Sequence, residues 1–192
     1  MKKALLIHGW GTKNEFYNQN IPTASNCHWF PWLSKQLMIR DIHTVALEMP
    51  DSYYPKYEVW KKELERFELD EETILIGHSC GGGFIVRYLS ENNIKIGRVI
   101  LVAPWLGISF DDSEPFDENF FKFDIDSNLA ERTESIILMK SANDDLPVQS
   151  SVKILEEEID SMKIVEFANK GHFTFRDLGS EEFPELLEEV LR

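Results

Sequence analysis

Only two cysteines, Cys27 and Cys80, stand among the 192 residues. That count excludes a disulfide framework and a four-ligand zinc site, and it points to a reducing compartment, the cytoplasm. Positive charge is also scarce: 20 Lys and Arg face 34 Asp and Glu, a formal net charge of −14. Such a surface repels phosphate backbones and anionic lipid headgroups, so neither nucleic-acid nor membrane partners are expected. Long apolar runs are missing. The opening MKKALLIHGWG carries two lysines, but its apolar run stops at His8, short of the roughly 7–15 residues of a signal core. Nothing approaches the roughly 20 apolar residues of a membrane span. Internal repeats, low-complexity tracts and Pro/Gly/Ser linkers are absent too, which leaves one domain over residues 1–192.

What recurs is a short apolar run followed by a longer amphipathic stretch. The runs are ALLIHG (4–9), HTVALEM (43–49), ETILIGH (72–78), RVILVAP (98–104), SIILMK (135–140) and KIVEFA (163–168). They are continuous in Ile, Leu and Val, not alternating, as strands buried on both faces should be. Between them, residues 29–39, 56–67, 82–92, 148–159 and 181–192 place apolar side chains at helical spacing. The alternation predicts an α/β fold: a three-layer sandwich with about six parallel strands between helices. Ligands of such sheets bind beyond the carboxyl ends of the strands, so the chemistry is sought just after each run.

One of those places is unusual. Gly77-His78-Ser79-Cys80-Gly81 matches G-x-S-x-G where a strand ends and a helix begins. In a nucleophile elbow the serine sits on a sharp, strained turn that lifts its hydroxyl above the sheet. Side chains two residues to either side would clash, and Gly77 and Gly81 fill those positions. A serine hydroxyl needs a base, and the base an orienting acid. In an elbow hydrolase they follow in the order Ser, Asp or Glu, His. SIILMK is followed by SANDDLPV, which offers Asp144 and Asp145; KIVEFA is followed by NKGHF, which offers His172. The S-x-x-D spacing before a helix start favours Asp144, leaving Asp145 as a turn or N-cap residue. Acyl transfer also needs oxyanion donors. The backbone amide of Cys80, after the nucleophile, is one. That of Trp10, in the HGWG turn after the first run, is the other. Cys80 is a small buried residue on this reading, its thiol directed away from the elbow tip. Trp10, Trp105 and Phe173 are candidates for the wall of a substrate pocket, the Trp10 indole being equally readable as core.

Residues 105–133 break the rhythm, mixing aromatics with acids over a length that exceeds an ordinary connection. A lid is one reading; a short helix packing its phenylalanines on the core is the other.

With these residues in hand, the sequence resembles the α/β-hydrolase fold in its smallest form, and more narrowly the family of retinoblastoma-binding protein 9 and related bacterial, YdeN-like serine hydrolases. The resemblance covers nearly the whole chain. It rests on IHGW (7–10), HWFPWL (28–33), LEMPD (47–51), the stretch from Pro55 to Trp60, GHSCGG (77–82), VAPW (102–105), SANDD (141–145) and GHF (171–173). It implies a strand order of 2-1-3-4-5-6 and a serine hydrolase with Ser79 as nucleophile, Asp144 as acid and His172 as base. Two positions depart from the family. Asp145 stands where a proline commonly follows the acid, and the L-x-C-x-E element behind the pocket-protein name is absent around both cysteines. That partner role is not carried over.

The expected activity is hydrolysis of a small ester or amide through an acyl-enzyme, with no metal and no organic cofactor. The alternative is a protein-interaction module on a hydrolase scaffold, prompted by the acidic, phenylalanine-rich stretch 105–133. A flavodoxin-like nucleotide binder would share the sheet, but no G-x-G-x-x-G or G-x-x-x-x-G-K-[ST] follows a strand.

Overall fold

The structure is a computed structural model that describes residues 1–108 and 116–192. The six apolar runs form six strands: β1 (Lys3–Ile7), β2 (His43–Leu47), β3 (Thr73–His78), β4 (Ile96–Val102), β5 (Thr133–Ser141) and β6 (Lys163–Phe167). Every neighbouring pair is parallel, in the order β2-β1-β3-β4-β5-β6. A parallel sheet needs crossovers that cover its faces, and burial shows the consequence. All six residues of β3 are buried, and β1 and β4 are nearly so. The edge strand β6 differs, with Lys163, Ile164 and Glu166 exposed.

Five helices match the amphipathic stretches: α2 (Phe30–Met38), α3 (Tyr57–Leu64), α4 (Cys80–Glu91), α5 (Leu146–Glu158) and α7 (Pro184–Leu191). Two shorter ones, α1 (Lys13–Tyr17) and α6 (Phe175–Leu178), have too few residues for a helical period to show. Both start on a capping box, Thr12 with Glu15 and Thr174 with Asp177, in which two side chains satisfy opposing backbone donors. Helix α4 begins at Cys80, two residues earlier than its apolar period suggests, because Ser79 occupies the N-cap. α7 begins three residues later than expected, at Pro184, whose fixed φ suits the first helical position. Among the described residues no helix is long and apolar enough to cross a membrane.

The core is heavily aromatic, with Trp29, Phe30, Trp60, Phe84, Phe120, Phe173 and Phe183 fully buried. Phe120 belongs to the stretch that breaks the strand–helix rhythm. Residues 118–121 and 129–132 form 3-10 turns tied to α4. The Arg87 guanidinium donates to the carbonyls of Asn119 (2.5 Å) and Phe120 (2.7 Å) and lies 3.6 Å over the Tyr57 ring. Arg132 donates to the Leu89 carbonyl and to Asp126. Phe116 and Phe121 pack on Trp105, and Phe121 and Phe123 lie against the core. Of the phenylalanines that prompted the interaction-module reading, Phe120 is fully buried and Phe116, Phe121 and Phe123 are partly buried against the core. Residues 109–115 of the candidate lid lie outside the described residues.

Candidate active site

The strand order reverses between β1 and β3, which pair side by side. Such a reversal opens a crevice at the carboxyl ends, because the crossovers leave on opposite sides of the sheet. The turn after β3 carries Ser79 and the turn after β1 carries Gly9 and Trp10. A Cβ at Gly9 would stand 2.9 Å from Ser79 Cβ, so the two turns touch.

Ser79 has φ 54° and ψ −123°, a conformation that a residue with a side chain avoids. Strain of this kind costs about 1–3 kcal/mol and persists only where the surroundings over-determine it. Here they do. Ser79 N–H donates to the Val102 carbonyl at 3.0 Å, and its own carbonyl accepts from Gly82 (2.9 Å), Gly83 (3.2 Å) and Trp105 (3.0 Å). The glycines at either side are required by space. A Cβ at Gly77 would lie 2.7 Å from the Gly81 carbonyl oxygen, and one at Gly81 would lie 2.4 Å from the carbonyl oxygens of Ile7 and His8. The tight turn thus holds one half-buried serine at the carboxyl edge of the sheet.

Asp144, after β5, and His172, after β6, meet as a pair. His172 Nδ1–H donates to Asp144 Oδ1 and Oδ2 at 3.0 and 3.1 Å, with the carboxylate side chain only 3% exposed. Asp145 is exposed and caps α5 by position only, its side chain making no cap hydrogen bond. Among the described residues the His172 side chain hydrogen-bonds to Asp144 alone. Its ring lies 4.9 Å, centroid to centroid, from that of His78, the residue before Ser79.

Trp10 and Cys80 also meet. The Cys80 thiol is fully buried; burial pushes its pKa well up, opposed by a backbone hydrogen bond from Trp10. A thiol so placed is a poor nucleophile. The two amides considered for an oxyanion site thus belong to chain segments in contact, and Cys80 N–H sits in the first turn of α4, where no intrahelical acceptor exists. His8 fixes the turn from below: its Nδ1–H donates to the Gly9 carbonyl and its Nε2 accepts from Met49 N–H. That pattern needs the neutral ring, and burial lowers its pKa accordingly.

The three pocket candidates fare differently. Trp10 is half-buried, its indole N–H donating to the Tyr53 carbonyl. Trp105 is 8% exposed and packs with Phe116 and Phe121. Phe173 is a correction: it has no exposed surface and stacks on Phe183, so it fills the core behind the site and lines no pocket. Two cavities of about 250 and 220 Å³ lie away from Ser79, one at the opposite end of the sheet beside Lys2 and Arg98, the other behind Asp144 between β5 and α5.

Sequence reasoning passed over several residues that bind this site together. His78 Nε2–H donates to the His172 carbonyl at 2.8 Å, and full burial keeps its pKa well below that of a free histidine. Asn143 Oδ1 accepts from Gly171 N–H, Ser141 Oγ from Lys170 N–H, and Asp177 from His172 N–H. His28, another left-handed residue, accepts from Phe175 N–H. His78 lay inside the quoted motif and Asn143 beside the acid, but nothing in their spacing told that backbone groups 94 and 28 residues away would be their partners.

A family model described as serine hydrolase matches residues 4–191. YdeN of Bacillus subtilis (strain 168) is 29% identical over 188 residues, spanning 95% of this chain and 91% of its own length. The serine hydrolase RBBP9 of Rattus norvegicus is 26% identical over 164 residues, 84% of either chain. The crystal structure of the ydeN gene product superposes with a TM-score of 0.82, covering 100% of this chain and 97% of that one.

Proposed function

The chain belongs to the serine hydrolase family, and from that membership we propose that it cleaves a small carboxylic ester or amide through an acyl-enzyme at Ser79. The observation that carries the reading is the coincidence of a strained, over-determined serine with an Asp144–His172 pair on the loops after β5 and β6, at the same end of the sheet. With Nδ1–H committed to Asp144, His172 keeps Nε2 as the base that takes the Ser79 proton. Ser79 Oγ then adds to the substrate carbonyl. The proton passes to the leaving alcohol or amine as the tetrahedral intermediate collapses, and water repeats the sequence to release the acid. Asp144 holds the imidazole tautomer and offsets the imidazolium charge. Apo sites often lack the serine–histidine hydrogen bond and gain it when substrate binds.

Backbone N–H groups of Cys80 and Trp10 receive the oxyanion in this reading. In the free protein the Trp10 amide is turned to the Cys80 sulfur, a weak acceptor, and a charged oxygen is a far better one. The chemistry calls for no metal or organic cofactor. The net charge of −14 favours neutral or cationic substrates over anionic ones.

Labelling by a fluorophosphonate, together with turnover of an activated ester, tests the assignment. Wild type should label, and Ser79→Ala and His172→Ala should not. Asp144→Asn should lower turnover by about 10³–10⁴-fold, whereas Asp145→Asn should stay near wild type. A folded wild type that neither labels nor turns over any activated ester would refute the proposal.

A further inference from the structure

The loop that carries His172 is held in a conformation it would not choose. Gly171 has φ 51° and Phe173 has φ 56°, so left-handed residues flank the histidine on both sides, and the second is a bulky aromatic. A side chain at such a φ is a genuine outlier that needs external support. Some of that support is local: Asp177 accepts from His172 N–H at 3.0 Å and from the Thr174 hydroxyl at 2.7 Å. The rest comes from the two other loops of the site. His78 Nε2–H, one residue before Ser79, donates to the His172 carbonyl at 2.8 Å. Asn143 Oδ1, one residue before Asp144, accepts from Gly171 N–H at 2.9 Å and from the Ser141 hydroxyl at 2.8 Å, and Ser141 in turn accepts from Lys170 N–H at 2.8 Å.

We propose that His78 and Asn143 are positioning residues for the hydrolase: each stands one residue before another triad member and ties that member's loop to the histidine loop through its own side-chain hydrogen bond, so that base, nucleophile and acid share one rigid frame. This rests on the Ser79–Asp144–His172 assignment. The His172 backbone is gripped at its carbonyl by the nucleophile strand, and the amide just before it is gripped by the acid loop. Both grips use a fixed polarity. His78 must present a donor at Nε2 and Asn143 an acceptor at Oδ1. Both act through the backbone of the histidine loop, which makes them positioning residues. Their effect falls on the alignment of His172, where a displacement of about 1 Å costs on the order of 10²-fold in rate.

The experiment compares paired variants, one removing the hydrogen-bonding atom at similar bulk and one restoring it: His78→Leu against His78→Gln, and Asn143→Leu against Asn143→Asp. The readouts are kcat and KM for an activated ester, thermal midpoint, and the downfield proton resonance of the Asp144-bonded His172 Nδ1–H. The leucine variants should lose about 10- to 100-fold in kcat, with KM within about twofold and the Nδ1–H resonance broadened or gone. His78→Gln and Asn143→Asp should recover most of both. Folded leucine variants with wild-type kcat and an unchanged resonance would overturn the proposal, as would Gln and Leu being equally impaired at 78, which would make the role one of volume. If His78→Leu fails to fold, the exposed Asn143 pair decides. A wild type inert to fluorophosphonate would instead remove the triad reading, while the Nδ1–H resonance would still report whether the two grips align His172 on Asp144.

Discussion

At the scale of the residue, Ser79 and its glycine neighbours put opposite demands on the same turn. Ordinarily alanine is more stabilising than glycine by about 0.4–1 kcal/mol, through the unfolded chain. At φ 54°, ψ −123° that order should reverse. Ser79→Gly is expected to be more stable than Ser79→Ala by about 1 kcal/mol, and urea midpoints measured side by side decide it. Two residues on, Gly81→Ala forces a Cβ to within 2.4 Å of the Ile7 and His8 carbonyl oxygens, where β1 ends and its turn begins. It should cost about 1–3 kcal/mol or more, and it should slow fluorophosphonate labelling by spreading the two turns apart. The Ser79 turn and the Asp144–His172 contact were legible because the sequence places those residue types in a set order after strands. The pocket wall was not, since sequence gives no side-chain direction: Phe173 sits next to the base yet points into the core.

Among the elements, the strands read clearly because burial on both faces leaves an uninterrupted apolar run. Helices α1 and α6 did not, because their existence depends on caps rather than on a buried stripe. The stretch after β4 was ambiguous for another reason. Its order is supplied from outside, by Arg87 on α4 and by the Arg132 contacts to the end of α4, and no local pattern announces a guanidinium 32 residues away. Arg87→Ala removes two charge-assisted hydrogen bonds to backbone carbonyls and a stacked contact on Tyr57. A loss of about 1.5–3 kcal/mol is expected. Amide exchange should quicken over residues 116–123 more than anywhere in β3 or β4, and uniform quickening would show instead that the turn and the sheet open together.

For the whole molecule, buried histidines set the response to acid. His8, His28 and His78 all have pKa values lowered by burial, with neighbouring His172 adding to the effect at His28 and His78. The unfolded chain therefore binds protons below about pH 6.5 that the native state refuses, and stability should fall as pH drops through that range. Asp70, Asp126 and Glu185 have lowered pKa values, held by hydrogen bonds from Lys3, from the Asn128 backbone and Arg132, and from Lys170 respectively; burial opposes this most strongly at Glu185. Asp177 is also lowered, its burial outweighed by hydrogen bonds from Thr174 and His172. Their contribution is intact above the ordinary carboxylate range and is lost below it. Thermal midpoints should thus be level above about pH 7, decline from there toward pH 5, and fall again near pH 4. His78→Gln should make the first step shallower, with His8 and His28 still contributing, and leave the second. A midpoint that stays level from pH 7 to 5 would contradict this account.

The buried Cys80 thiol has a practical consequence at the same scale. The other free cysteine, Cys27, is half-buried beside His28, with its pKa raised by burial and by Glu48 and Glu15. An uncharged alkylating dye offered to the native protein should therefore attach slowly and at one position, within a residue of the imidazole that supports the α6 turn. A second equivalent should enter only when the chain opens far enough to bare the elbow. Dye stoichiometry against time would then act as a clock for excursions of the Ser79 turn, and fluorescence from the first label as a reporter of events at the His28–Phe175 contact.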